Sequence, residues 1–306
     1  MKILLVGDLH MRVNCPERRL DEDYKETCLD KLSQIIEIAK ENNCYCIIQA
    51  GDWHDKFSPD KGLIADEIKL IKELDFQGNI FTIHGQHDLK HHNKKSADSS
   101  AIRILEAATS VVDVKNETFP VILGREQIYI HSAPFGQEPL TKPSKAGYDI
   151  LVSHVMVTPT PLYVNHDYMS PVEYMDKYPG YDLYFVGDIH TPFVTKRKGR
   201  LMINAGAVMR SSISDKDRKP KAVLFDTETN KYKDIFLEVQ DDIFDTQTLE
   251  QEQKEHKFTG LIEKLKEEGQ IGVNFEENLL NYIRNNEINK KTLAFISRYV
   301  YNKIEG

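Results

Sequence analysis

Five times in its first 190 residues this chain closes a short apolar run with a cluster of acids and histidines, and that repetition limits the folds open to it. Residues 3–6 lead into Asp8-Leu9-His10, residues 45–48 into Gly51-Asp52-Trp53-His54-Asp55, and residues 80–83 into Gly85-Gln86-His87-Asp88. Residues 150–152 end on Ser153-His154, and residues 183–186 on Gly187-Asp188-Ile189-His190. Short apolar runs bounded in this way read as buried strands. In an α/β sheet the carboxyl ends of strands meet along one edge, so residues remote in sequence build one site there. Carboxylates mixed with imidazoles, with no cysteine among them, suit a pair of divalent cations such as manganese, iron or zinc. Taken singly, each cluster has a plainer reading, since an Asp-x-His after a strand is commonly a cap or a loop hydrogen-bonding pair. Five in order are hard to explain that way.

Between the runs the pattern is helical. Residues 24–42 put Leu29, Leu32, Ile35, Ile36 and Ala39 on one face. Ser58-Pro59 opens a second helix carrying Ile64, Ile68, Leu70 and Ile71, with proline in the first turn, and a third lies near 99–108. This alternation predicts an α/β fold. Shorter strands follow at 111–114, 121–123 and 127–131. Two hairpins then close the unit, 194–196 with 201–204 around Lys198-Gly199 and 222–226 with 232–239 around Thr229-Asn230. Residues 241–257 read as a polar linker or exposed helix. Helical patterns follow at 260–268, 276–285 and 289–303, where Leu293, Ile296, Val300 and Ile304 form an apolar stripe.

With 306 residues, 40% hydrophobic and 29% charged, the chain can bury one large domain and carry an appendage. No apolar run approaches the roughly 20 residues that span a bilayer, so no membrane is expected, and the N-terminal run reads as a buried strand rather than a signal peptide. Cys15, Cys28, Cys44 and Cys46 form no C-x-x-C pair, and Cys44 and Cys46 are expected on opposite faces of one strand. Reduced thiols in a cytoplasmic protein account for them. A net charge of −8 argues against indiscriminate nucleic-acid binding. Lys and Arg are nevertheless clustered at 90–95, at 196–200 and from Arg210 to Lys221, patterns that solvated loops also show. Arg210 is a candidate contact to a substrate phosphate, or else a structural arginine. Trp53 and Tyr184 read as core or pocket wall, and His84, His91, His92, His131 and His166 as packing or loop residues.

In this order the five clusters resemble the calcineurin-like metallophosphoesterases, marked by D-x-H, G-D-x-x-[DH], G-N-H-[DE], a lone His after a strand, and G-H-x-H. Within that superfamily the chain is similar to the SbcD-type nuclease subunits of DNA break repair, through its compact motif order, the segment Asn204-Ala205-Gly206-Ala207-Val208-Met209-Arg210 and its helical tail. The resemblance implies a four-layer α/β/β/α sandwich over residues 1–240. A helical C-terminal segment, 241–306, would be a small cap or a docking element for an SbcC-type ATPase, unless its stripe packs on its own domain.

The resemblance also implies one metal held by Asp8, His10, Asp52 and His190, and a second held by Asp52, Gln86, His154 and Asp188, with Asp52 bridging. Such a pair lowers the pKa of a bridging water, so that hydroxide is available for in-line attack on phosphorus. His87 would contact the phosphate and protonate the leaving oxygen, and Asp55 would orient or charge His87. His54 is a neighbour without a role. Two positions depart from the family pattern. Gln86 replaces an Asn and adds a methylene, and Asp188 replaces the first His of G-H-x-H; both fall on the second metal, where a carboxylate favours Mn2+ over Zn2+, with Fe2+ the other candidate. The expected activity is hydrolysis of phosphodiesters, above all DNA, as an exonuclease or endonuclease, with homodimerisation a family expectation. The alternatives are a stand-alone phosphodiesterase or phosphatase acting on nucleotides or phosphoproteins, and a catalytically weak scaffold that binds a partner through its tail.

Overall fold

All five apolar runs form strands, but they divide between two sheets. In the first, β1 (Lys2–Val6), β2 (Cys46–Gln49), β3 (Asn79–Thr82) and β4 (Val111–Asp113) run parallel. In the second, β6 (Glu126–Ala133), β7 (Tyr148–His154), β8 (Leu183–Gly187) and β10 (Arg200–Asn204) do so, edged by antiparallel β5 (Thr118–Leu123) and β9 (Phe193–Arg197). The late hairpin of β11 (Lys221–Asp226) and β12 (Lys231–Phe236) joins the first sheet beside β1. The sheet orders are β12-β11-β1-β2-β3-β4 and β5-β6-β7-β8-β10-β9. This computed structural model describes residues 1–140, 143, 146–162, 168–241 and 243–245, and the unit Met1–Phe244 is compact.

Alternation along β1 shows how the layers form. Ile3 and Leu5 enter a core between the sheets, where they join Ile48, Phe81, Ile150, Val152, Phe185 and Ile203. Leu4 and Val6 face the other way, under α1 (Tyr24–Glu41), α2 (Lys61–Leu74) and α3 (Ile102–Ala108), against Leu32, Ile36, Leu63 and Leu105. On the outer face of the second sheet, Leu151, Tyr184 and Val186 meet Tyr174 and Met175 of α4 (Pro171–Lys177). Strands buried on both faces lose the polar alternation of a surface strand, which is why they read as continuous apolar runs. The result is the expected four-layer α/β/β/α arrangement.

Several local readings change. Asp60 caps α2 by accepting from the Gly62 and Leu63 amides, so Pro59 stands before the cap and not in the first turn. Helix α4 was not expected, although its capping box is in the sequence: Ser170 accepts from the Glu173 amide, and Glu173 reaches back to the Ser170 amide. At 7 residues it is too short to show a helical period. Cys44 and Cys46 do enter different cores, but not by alternation, which puts residues i and i+2 on one face; Cys44 precedes β2. All four cysteines are free, and burial pushes the Cys28 thiol up to about 12 and the Cys44 thiol to about 11, which leaves both inert. Trp53 and Tyr184 are fully buried, as expected. Among the described residues no helix is long and apolar enough to cross a membrane. The helical patterns from 260 onward, and His166, lie outside the described residues.

Candidate metal centre

The carboxyl ends of β1, β2 and β3 from one sheet and of β7 and β8 from the other carry the clusters, so the site spans both sheets rather than the edge of one. At three of these ends the chain turns through left-handed backbone at a non-glycine residue: His10 (φ 49°), Asp52 (φ 52°) and Asp188 (φ 86°). Such conformations cost energy and persist where the surroundings fix them. The glycines of the motifs have a steric reason. A Cβ on Gly51 would stand 2.5 Å from His154 Nδ1, and one on Gly85 would enter the Asp52 carboxyl group.

Asp52 lies at the centre. Its Oδ1 accepts the His87 amide at 2.8 Å, while Oδ2 stands 3.9 Å from His10 Nε2 and 3.3 Å from His154 Nε2. On one side His10 Nε2 is 3.1 Å from His190 Nε2, and Asp8 Oδ2 is 4.0 Å and 3.7 Å from these two nitrogens. On the other side Asp188 Oδ1 is 4.0 Å from His154 Nε2 and accepts from Gln86 Nε2 at 2.7 Å. The structure thus gathers Asp8, His10, Asp52, Gln86, His154, Asp188 and His190 into one cluster.

The donor set suits cations on both sides of Asp52. Gln86 Oε1 is buried without a hydrogen bond, and so are Asp52 Oδ2 and His154 Nε2, which meet as an ion pair at 3.3 Å; a cation would give all three a partner. The Ala50 carbonyl accepts from His154 Nδ1 at 2.7 Å, which fixes the tautomer and leaves Nε2 as the ligand atom. The extra methylene of Gln86 therefore has a use: the amide nitrogen braces Asp188 while the amide oxygen stays available. The two departures from the family motifs are in contact and act as a pair.

Burial and mutual charge together set which groups of the cluster carry protons. Burial pushes the Asp8 carboxyl up to about 7, aided by the nearby Asp52 charge and opposed by His154. Burial also favours neutral imidazole at His10, which falls to about 3 despite Asp52, and it lowers His190. For Asp52 burial acts upward, but His154 and His10 outweigh it and hold the carboxyl at about 2. His154 is the mirror case, where burial is overcome by Asp52, Asp8 and Asp188 and the imidazolium persists to about 10. At neutral pH without metal, Asp8 is partly and His154 fully protonated, and both protons must leave when a cation binds. Mn2+ affinity is therefore expected to rise from pH 6 to 8, by up to about tenfold per unit for each proton released. Calorimetry in buffers of different ionisation enthalpy counts those protons.

The family model for calcineurin-like phosphoesterases matches residues 1–192. The chain belongs to that family. It is a metal-dependent phosphoesterase of the kind that uses a dinuclear divalent centre, and the clusters Asp8-His10-His190 and Asp8-Asp52-His154 are candidate ligand groups for it. No match is found among curated proteins. Among solved structures the chain is similar to an archaeal phosphodiesterase at 17% identity, covering 78% of this chain and 100% of that one with a TM-score of 0.43. It is similar to a hypothetical protein from Pyrococcus horikoshii at 14% identity, 84% and 93% coverage and a TM-score of 0.43. A dimetal phosphatase from Danio rerio is 11% identical, with 73% and 92% coverage and a TM-score of 0.46.

Around this phosphoesterase centre three expectations are revised or refined. His87 stands beside it, its ring 4.9 Å from that of His10. Its Nδ1 meets the Asp55 main-chain carbonyl at 2.8 Å, so Asp55 orients His87 through its backbone; the Asp55 carboxylate is paired with Arg12 at 3.1 Å. A carbonyl only accepts, so Nδ1 donates to it, and Nε2 is the ring nitrogen this bond does not engage. Arg210 is a structural residue and not a phosphate contact, because its guanidinium donates to the Lys216 and Gln240 carbonyls, each at 2.7 Å.

Other phosphoesterase residues went unread in the sequence. Asp88 accepts from the Trp53, His54 and Gly85 amides at 3.0 to 3.2 Å and staples two ligand loops together. His54 finds a partner in Glu67, a fully buried carboxylate that accepts from Trp53 Nε1 at 3.1 Å and lies 3.0 Å from His54 Nε2. A signal for Glu67 existed, because it interrupts the apolar face of α2 between Leu63 and Ile71. Glu67→Ala would strand both partners and is expected to cost about 3–5 kcal/mol. That is a fall in Tm of roughly 10 °C, read by a thermal melt.

Proposed function

We propose that the chain hydrolyses phosphodiesters of nucleic acid, most of all DNA, as an SbcD-type exonuclease or endonuclease with Mn2+ in the paired site. The observation that carries a two-metal hydrolase is the placement of Asp52 Oδ2 between His10 and His154, with unsatisfied donors around it. When bound, a metal pair supplies an activated water and neutralises phosphate charge. The preference for Mn2+ rests on the oxygen-rich second side, where Gln86, Asp52 and Asp188 accompany a single imidazole. His87 Nε2 supplies the proton that an alkoxide leaving group requires, and the Asp55 carbonyl holds the ring for that transfer. Exposed basic residues at 90–95, directly after the third cluster, support a polyanionic substrate. A partner ATPase of the SbcC type belongs to the same proposal and is tested by co-purification.

Activity with Mn2+ on linear duplex DNA, single-stranded DNA and bis-p-nitrophenyl phosphate decides among the readings. Hydrolysis of the small ester alone favours a stand-alone phosphodiesterase, and hydrolysis of none favours a scaffold. His87→Ala is expected to lower kcat by about 10²- to 10⁴-fold with metal content near normal. Loss of metal in that variant would contradict the role of His87 as acid.

A further inference from the structure

A groove of roughly 500 Å³ opens beside His87, lined by Arg12, Asn14, Asp55, Lys56, Ser58 and Lys61 among others. Asp55 belongs to both places, since it lines the groove while its carbonyl holds His87 Nδ1 at 2.8 Å. Arg12 is fixed on the wall at two points, with Nε donating to the Asn14 carbonyl at 2.8 Å and Nη1 lying 3.1 Å from Asp55 Oδ2. Its Nη2 meets no acceptor among the described residues.

The charge balance of this groove differs from that of the chain as a whole. Arg12 already neutralises Asp55, and Asp60 turns its carboxylate into the start of α2, where it accepts from the Gly62 and Leu63 amides. Lys56 and Lys61 are exposed and have no acidic partner among the described residues. The groove therefore presents two uncommitted ammonium groups and part of a preorganised guanidinium, in a chain of net charge −8. A fixed guanidinium with free N–H groups is matched to a phosphate.

We propose that this groove is the leaving-strand subsite. It takes the phosphate next to the scissile one in a single-stranded nucleic acid, on the side of the oxygen that His87 protonates. This rests on the phosphodiesterase reading and adds to it the direction in which the strand runs. Phosphates are the same at every nucleotide, so the subsite selects for a continued backbone and not for sequence. An ester whose leaving group carries no phosphate gains nothing from it.

Oligothymidylate and bis-p-nitrophenyl phosphate differ in that respect. In the Lys56→Ala/Lys61→Ala protein, the ratio of kcat/KM on the oligonucleotide to that on the small ester is expected to fall about tenfold, and Lys56→Arg/Lys61→Arg to recover most of it. Fluorescein-labelled oligothymidylate on the metal-free protein, followed by anisotropy in EDTA, is expected to bind about tenfold more weakly to the double Ala variant. The log–log salt slope should become shallower by about 0.7, the contribution of one phosphate contact on a single strand. Equal losses on both substrates, or an unchanged salt slope, would overturn the subsite. If the wild-type protein hydrolyses neither ester, the phosphodiesterase reading fails by itself, and the metal-free binding measurement still decides the groove.

Discussion

Asp52→Asn is expected to lower turnover on the order of a thousandfold or more, and to remove most of the thermal stabilisation that Mn2+ gives the wild-type protein. Asp52 Oδ2 stands between the two sides of the centre, 3.9 Å from His10 Nε2 and 3.3 Å from His154 Nε2. An amide of the same shape offers one weaker acceptor and no charge, so it cannot span two cations. It also removes the main interaction that keeps His154 protonated against burial. A ligand at a hundred times its Kd stabilises the fold by about 2.7 kcal/mol. In melts with and without saturating Mn2+, the variant should lose at least half of the wild-type Tm increment. A full increment would show that Asp52 does not bridge.

Gly187→Ala should disable the site from the opposite direction, by adding an atom. A Cβ there would stand 2.5 Å from the Ala50 carbonyl oxygen, 2.7 Å from Asp8 Oδ1 and 2.9 Å from His154 Nδ1. Two of those neighbours are candidate ligand side chains, and the third is the carbonyl that accepts from His154 Nδ1. Strand β8 cannot retreat, because its register against β7 pairs Gly187 with His154 itself. Overpacking of this kind costs about 1–3 kcal/mol. Displacing an orienting partner typically costs 10–100-fold in metal affinity. A metal-free melt and Mn2+ calorimetry read the two losses separately, and unchanged affinity would show that the ligands tolerate the shift.

The seven candidate ligand positions were legible in the sequence because the motifs that carry them resemble those of a known family, and each motif follows an apolar run that had to be a strand. The same regularity made the layers legible, since a parallel strand buried on both faces leaves an unbroken apolar run. Roles that depend on which atom meets which were not legible. Asp55 was read as orienting or charging His87, and its contact to His87 Nδ1 is made by its carbonyl, an atom every residue type carries. Arg210 could be read as a phosphate contact or as a structural arginine, and only the fold shows its guanidinium donating to the Lys216 and Gln240 carbonyls. In the sequence Gln86 and Asp188 stand as two separate departures from the family pattern at the second metal. Their 2.7 Å contact, which the sequence does not show, joins them.

Sequence alone determined the chemistry on offer in this protein: which oxygen and nitrogen donors exist, and that strand ends carry them. Tertiary structure decided how those donors are used, by bringing the strand ends of two sheets together and turning the backbone at His10, Asp52 and Asp188 into left-handed conformations. The division has a physical cause. Strand formation follows from local apolar patterning, whereas the orientation of a side chain and the charge it carries depend on neighbours remote in sequence, 180 residues apart in the case of His10 and His190.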